Sequence, residues 1–194
     1  LYFDPESEDD IVKIIELAKR NKKNVRAIGM IHSPSDLPFS DGYIISMKKL
    51  NSPRELSKHE LALSNLCSIS DLTIGSVIST ATHGTGINFG CLSTQLTIKS
   101  LTLLTDSHGK MQCSETMNLD GFKAALCSLG ALGIIAQVTI QYETAYLLEA
   151  NQTPVKLNYV LDNLESVIHS AEHVRFWWFP HTDDCVAWKA NRTK

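Results

Sequence analysis

The sequence predicts an α+β fold, and three observations support that class. A capped amphipathic helix near the N-terminus is followed by short apolar strands, and a hairpin, a helix and an alternating strand follow further along. After Glu143 the pattern changes, and longer strands carry many aromatic residues. The 194 residues, 43% hydrophobic and 20% charged, suffice for one well-packed domain and part of another. We therefore expect a first domain at 1–143 and part of a second at 144–194.

The first part of the chain predicts one helix and two short buried strands. Ser7 is placed to cap the helix together with Asp10, and apolar residues recur behind it at helical spacing. The basic run from Lys19 to Lys23 fits the last turn of that helix, where it complements the dipole. Strands are predicted at 25–28 and 43–47, with a short helix at most in the polar segment 51–60 and a brief helix at 75–82.

The middle and last parts predict a hairpin, two helices and four further strands. The hairpin joins 95–105 to 110–113 through Asp106-Ser107-His108-Gly109. A helix at 119–129 is expected to end at Gly130, before an alternating strand at 133–142. The last third predicts strands at 145–150, 174–179 and 185–190, and a helix at 157–169. The aromatic run from Phe176 to Phe179 is predicted as strand core.

Composition excludes several function classes. The net charge of −3 argues against a nucleic-acid partner. Five cysteines without a CxxC pair predict reduced thiols in an intracellular compartment. The longest apolar run, at 126–140, is interrupted and too short to span a bilayer, so no transmembrane segment is expected. The histidines show no metal-ligand spacing, and no metal site is predicted.

Two histidine turns carry the functional signal. The run from Thr80 to Gly86 combines small hydroxyl residues, glycines and His83, so that backbone N–H groups can approach a flat or anionic ligand. His32 follows Gly29 in a similar turn, and an imidazole can be tethered covalently to an electrophilic cofactor carbon. On spacing alone, a surface turn histidine is the commoner interpretation of His32, and His83 fits a local hydrogen bond equally well. Together the two turns indicate a flavin site.

Five motifs in order resemble the sugar-1,4-lactone oxidases, which have a vanillyl-alcohol-oxidase-type FAD-binding domain of two small α/β subdomains. The motifs are Ile28-Gly29-Met30-Ile31-His32-Ser33, Ala62-Leu63-Ser64-Asn65-Leu66, Ser70-Asp71-Leu72-Thr73, Thr80-Ala81-Thr82-His83-Gly84-Thr85-Gly86 and Leu129-Gly130-Ala131-Leu132-Gly133. The resemblance covers nearly the whole chain. It implies that the last third, including Trp177-Trp178-Phe179-Pro180, is the beginning of a truncated α+β substrate domain.

The resemblance also implies a cofactor site. His32 would carry the FAD through an 8α-histidyl bond, Gly29 and Ser33 would lie under the pyrophosphate, and Ile135 would meet the adenine or ribose end. The other residues expected to line the cofactor are Ser68, Thr73, Ser76, Ser79, Thr82, His83 and Gly84. No substrate-side catalytic residue is identifiable in this chain.

The implied reaction is the oxidation of an aldono-1,4-lactone, of the D-arabinono or L-gulono type, in ascorbate or erythroascorbate biosynthesis. A hydride passes from the lactone C2–H to the flavin, and O2 is reduced to H2O2. The resemblance further implies peripheral association with a mitochondrial or other organelle membrane.

Two alternatives remain open at this point. The chain departs from the family where Met30-Ile31 replaces glycines, where Cys67 and Ser76 replace glycines, and where the segment near 50–60 is internally shortened. These departures allow a non-catalytic fragment or variant that has lost cofactor binding. Because a fold does not set a substrate, another FAD-linked oxidoreductase of the same fold is the other alternative.

Overall fold

The structure is a computed structural model that describes residues 1–50, 59–92 and 98–193. The short helix expected within 51–60 falls mostly outside the described residues, as does the beginning of the hairpin strand at 95–97. In the described part, no helix combines the length and apolar character needed to cross a membrane.

The N-terminal unit is a helix packed on a small parallel sheet. Helix α1 (Glu8–Arg20) begins after Ser7, whose Oγ accepts a hydrogen bond from Asp10 N at 3.2 Å, as the capping pattern predicts. The sheet has the order β1 (Tyr2–Phe3), β3 (Tyr43–Ser46), β2 (Val25–Ile28), with parallel pairing throughout. The buried stripe of α1 covers the sheet from one side.

A second unit is built on an antiparallel sheet. Its order is β6 (Gly109–Ser114), β5 (Ile98–Thr105), β7 (Ile134–Ile140), and it includes the hairpin that the sequence predicts. Helices α2 (Ile74–Ser79) and α3 (Leu119–Ala125) contribute Ile78 and Phe122 to the core beneath this sheet.

The antiparallel sheet is shared between the two cores because its side chains alternate. Leu103 pairs with Ile135, and both pack with α2 and α3. The next pair, Leu104 and Ile134, packs instead against α1 and the parallel sheet. One sheet therefore fastens the two units of the first domain together.

The last third forms a separate antiparallel sheet with the order β10 (His173–Trp178), β11 (Asp184–Thr193), β9 (Leu147–Lys156). Helices α4 (Leu157–Asp162) and α5 (Leu164–Ile168) connect β9 to β10. Before this sheet, β4 (Leu61–Ala62) pairs with β8 (Glu143–Thr144). The mixture of helices and mostly antiparallel strands confirms the α+β class.

Three expectations about elements were wrong. The helix expected at 119–129 ends at Ala125, and the chain then turns through Leu129 and Gly130 with positive φ. The helix expected at 157–169 is interrupted at Asn163, which leaves the helical region at φ −121°. The aromatic run is not strand core, since Trp177, Trp178 and Phe179 are 38–52% exposed.

Arg192 of β11 joins the last sheet to the first domain. Its guanidinium lies 3.0 Å from Glu143 and 2.9 Å from Glu172, and it donates to the Ser64 carbonyl at 2.8 Å. It also stacks over the Tyr146 ring at 4.1 Å, and burial raises the pKa of the Tyr146 phenol. Arg192 therefore balances the charges of two carboxylates.

Replacing Arg192 by Met keeps the length of the side chain and removes the charge. Glu143 and Glu172 then lose the cation that they share, and the Ser64 carbonyl loses its donor. We expect a loss of about 2 kcal/mol in the free energy of unfolding, because charged hydrogen bonds are worth that much. Thermal denaturation followed by circular dichroism measures it as a midpoint lowered by roughly 4–8 °C.

The matched control is Lys156→Met, which removes an ion pair to Asp184 whose two side chains are 68% and 64% exposed. Solvent screens such pairs, so the midpoint of this variant should stay at that of the unmodified chain. Equal shifts in the two variants would show that the Arg192 contacts contribute nothing specific.

Candidate cofactor site

One cavity of about 720 Å³ lies between the end of β2, helix α2 and strand β7. Its volume falls in the range of roughly 300–1,000 Å³ that is typical of small-molecule and cofactor sites. The structure brings to its wall all the predicted cofactor residues except Gly84. They are Gly29, His32, Ser33, Ser68, Thr73, Ser76, Ser79, Thr82, His83 and Ile135.

Gly29 permits a close approach between the turn after β2 and the beginning of α2. Thr73 caps α2 by accepting from Ser76 N at 3.3 Å, and the two hydroxyl oxygens lie 2.6 Å apart. A Cβ on Gly29 would overlap both hydroxyls. Only glycine therefore lets the turn rest on Thr73 and Ser76, and all three residues line the cavity.

His32 is exposed on the turn after β2, with its Nε2 2.8 Å from the Asp71 carbonyl oxygen. Because a carbonyl oxygen can only accept, Nε2 carries the proton in this contact. In the neutral ring, Nδ1 then keeps the free lone pair. The 70–73 motif thus fixes both the orientation and the tautomer of His32.

The second histidine turn forms another part of the wall. His83 Nδ1 lies 2.9 Å from the Gly84 carbonyl oxygen, and Thr82 Oγ1 lies 3.0 Å from Thr80 Oγ1. Gly84 does not reach the cavity. A Cβ there would overlap Asn65 Oδ1 and the Leu66 carbonyl, so Gly84 packs the loop against the 62–66 motif.

Backbone strain is concentrated at the wall of the cavity. Ile31 and Leu129 both line it with positive φ, at 57° and 50°. A β-branched side chain is a poor fit for this left-handed region. The position of Ile31 is one at which the sequence motif departs from glycine, and the structure places it in a conformation that glycine adopts freely.

Sequence analysis missed two arginines at the site. Arg26 of β2 lines the cavity, and its signal was a basic residue in an otherwise apolar strand. Arg175 of β10 donates to Ser68 Oγ at 2.8 Å, while its guanidinium lies over the rings of Trp177 and Trp188 at 4.3 and 4.9 Å. The last sheet therefore holds a residue of the cavity wall.

Two further sequence expectations concern cysteines and metals. All five cysteines are free thiols. Within residues 1–50, 59–92 and 98–193, no group of three or more His, Cys, Asp or Glu side chains is arranged to hold a metal ion.

The fold is shared with FAD-binding oxidases of the vanillyl-alcohol-oxidase type. A histidine-to-alanine mutant of cholesterol oxidase from Brevibacterium sterolicum superposes with a TM-score of 0.80 over 98% of this chain and 44% of that chain. The sequences are 16% identical, so this likeness defines the fold only. It confirms the fold class that the motifs imply.

Sequence comparison identifies the family. The profile of D-arabinono-1,4-lactone oxidase matches residues 138–194, and that of the FAD binding domain matches residues 1–61. The L-gulonolactone oxidase of Scyliorhinus torazame is 37% identical over 100% of this chain and 48% of its own length. The D-arabinono-1,4-lactone oxidase of Eremothecium gossypii is 32% identical over 100% of this chain and 41% of its own length. The chain belongs to the sugar-1,4-lactone oxidase family.

The matched stretch is longer in the relatives than in this chain. The alignment to the Scyliorhinus protein runs over 215 positions, against 194 residues here. The chain spans about half the length of the curated relatives that it matches.

We expect Ile31→Gly to stabilise the protein. Glycine relieves the left-handed backbone strain, which costs about 1–2 kcal/mol, but it also adds conformational freedom to the unfolded chain. The free energy of unfolding should therefore rise by about 1 kcal/mol. The thermal midpoint should rise by roughly 2–4 °C. The matched control is Ile69→Gly, because Ile69 lines the same cavity, is 44% exposed against 46% for Ile31, and has no positive φ. The control should lower the midpoint, and a similar fall in both variants would contradict the strain at Ile31.

Proposed function

We propose that this chain binds FAD in the cavity between β2, α2 and β7. We propose further that it forms the cofactor-binding part of an oxidase that converts an aldono-1,4-lactone with O2. The observation that carries the proposal is the convergence of two histidine turns, the Thr73–Ser76 hydroxyl pair and Ile135 on one cavity of about 720 Å³.

The wall of the cavity suits a flavin nucleotide. Short hydroxyls and turn backbone line one side, and apolar residues of β7 line the other, as a ligand with polar phosphates and flat rings requires. None of the described lining residues is acidic, so no carboxylate repels the diphosphate. Gly29 carries no side chain that could cover its own backbone, although the hydroxyls of Thr73 and Ser76 fill the space that a Cβ would need.

We take the roles of these residues from the family resemblance. Gly29 and Ser33 would lie under the pyrophosphate, Ile135 would contact the adenine or ribose, and the hydroxyls of Ser68 and Thr82 would line the rest. When bound, FAD accepts a hydride from the lactone and passes the electrons to O2. The residues of this chain would bind and orient the cofactor. Arg175 would keep Ser68 in place on the cavity wall through its hydrogen bond to the Ser68 hydroxyl.

We assign residues 1–143 to the FAD-binding domain and 144–194 to the first part of the substrate domain. The FAD binding domain profile matches residues 1–61, and the D-arabinono-1,4-lactone oxidase profile matches 138–194, beginning shortly before this division. The Arg192 and Arg175 contacts join the parts. We also propose that the extra positions in the relatives' alignment correspond to the shortened segment near 50–60.

His32 is our choice for covalent attachment of the flavin. Its Nδ1 keeps a lone pair while Nε2 is held by the Asp71 carbonyl. Bond formation at the 8α carbon exchanges a C–H bond for a C–N bond, which is a two-electron oxidation for which O2 can serve as acceptor. His83 lines the same cavity and is the competing nucleophile.

A second candidate function is a variant that no longer binds FAD. The observation that favours it is Ile31 with φ 57° in the turn that should carry the phosphates, where a bulky side chain blocks close backbone approach. Association with a mitochondrial or other organelle membrane stays a prediction from the family resemblance.

The test of FAD binding is spectroscopic and thermal. Purified protein should show the visible absorption bands of oxidised flavin or acquire them on incubation with FAD. At a hundredfold excess over Kd, FAD should stabilise the chain by about 2.7 kcal/mol and raise its thermal midpoint. Gly29→Ala should abolish this shift. Gly75→Ala should keep it, because a new Cβ there meets only Ile135 Cβ at 4.0 Å. If the unmodified chain shows neither flavin absorbance nor a thermal shift with FAD, the result favours the second candidate, a variant that no longer binds FAD.

The test of attachment uses acid precipitation. The unmodified chain should keep yellow flavin in the precipitate and fluoresce on a denaturing gel, whereas His32→Ala should release all flavin to the supernatant. His83→Ala is the matched control and should keep the adduct. If His32→Ala keeps the covalent flavin and His83→Ala loses it, His83 and not His32 is the attachment residue.

A further inference from the structure

Arg26 is the only Arg, Lys, Asp or Glu among the described residues that line the cavity. It is the second residue of β2, three positions before Gly29, or roughly 10 Å along an extended strand. Its neighbour in the strand, Ala27, packs against the core of the parallel sheet. Ala27 also lines the cavity, and Arg26 is the residue that brings charge to this part of the wall.

The side chain of Arg26 has no hydrogen bond or ion pair with any residue in the described ranges, although it is half-buried. The other arginines near the domain junction, Arg175 and Arg192, are both engaged by oxygen acceptors. A partly buried guanidinium without a partner is unfavourable, because its five N–H donors lose water without gaining acceptors. An anionic ligand would supply those acceptors.

The guanidinium points toward a particular end of the cavity. A Cβ on Gly130 would lie 4.0 Å from Arg26 Nη1, so the group reaches the Leu129–Gly130 turn before β7. His32 belongs to the turn at the other end of β2, six residues along the chain. Arg26 and His32 are therefore placed to contact different parts of an elongated ligand.

We propose that Arg26 reaches the diphosphate of FAD, under which Gly29 and Ser33 would lie, from the Gly130 end of the cavity. This inference rests on the proposed FAD site. The diphosphate is the anionic part of the ligand, and a guanidinium can donate two parallel hydrogen bonds to phosphate oxygens. Because of Arg26, the cavity should then bind a dinucleotide more tightly than riboflavin, which has no phosphate.

The experiment compares FAD, ADP and riboflavin as ligands of the unmodified chain and of Arg26→Gln, with affinity measured by calorimetry. Every protein compared, the otherwise unmodified chain included, also carries His32→Ala, so that no covalently attached flavin occupies the cavity. The variant should bind FAD and ADP about ten- to a hundredfold more weakly, as expected for the loss of charged hydrogen bonds. Its affinity for riboflavin should stay within about twofold, since no phosphate contact is lost. The affinity of Arg26→Lys for FAD and ADP should lie between those of the unmodified chain and Arg26→Gln, because lysine keeps the charge but lacks the planar guanidinium. Added salt should weaken FAD binding more in the unmodified chain than in Arg26→Gln.

The matched control is Arg20→Gln, which removes the same charge from exposed α1, where the side chain donates only to the Glu16 carbonyl. It should leave all three affinities unchanged. Unchanged FAD and ADP affinities in Arg26→Gln would overturn the assignment, and so would an equal loss for riboflavin. If ADP binds more weakly to Arg26→Gln than to the unmodified chain, but neither FAD nor riboflavin binds, then Arg26 is a diphosphate-binding residue and the proposed FAD site is wrong. Binding of none of the three ligands by the unmodified chain would overturn both.

Discussion

The contact between the turn after β2 and the first turn of α2 is the constraint on which the site depends. Gly29 has no side chain, and the Thr73 and Ser76 hydroxyls occupy the space that a Cβ would need. Thr73 also caps α2, so one buried hydroxyl sets both the helix end and the floor of the cavity. The position of His32 follows, because Asp71 lies two residues before Thr73 and its carbonyl holds the imidazole.

The rigidity of that arrangement comes from the shared antiparallel sheet. Ile135 lies on the cavity wall and in the core with α2, while neighbouring Ile134 packs with α1. A displacement of β7 would therefore disturb both cores as well as the cavity. Close packing makes such displacements unfavourable, so the wall formed by β7 is the fixed side of the site. The histidine turns on the opposite side are exposed and have strained residues.

The last sheet is part of the site through its contacts. Arg175 holds Ser68, Arg192 holds the Ser64 carbonyl, and buried His173 stacks on Phe89 with ring centroids 4.8 Å apart. All three side chains come from β10 or β11 and reach loops of the first domain. The exposed aromatic residues of β10 were expected to be core because the sequence shows a continuous apolar run. The structure instead uses the aromatic rings near Arg175 as a platform for the guanidinium.

The sequence by itself determined the elements whose signals are local. Ser7 capping, the hairpin at 106–109 and the alternation of β7 depend on neighbouring residues, and the motif order identified the family. All the cofactor residues that it named, except Gly84, lie on the cavity wall. Only the tertiary structure decided the outcomes that depend on distant partners: the early end of α3, the packing role of Gly84, and the places of Arg26 and Arg175. A side chain's partners across the fold are set by how sheets and loops meet, and no local period records that meeting.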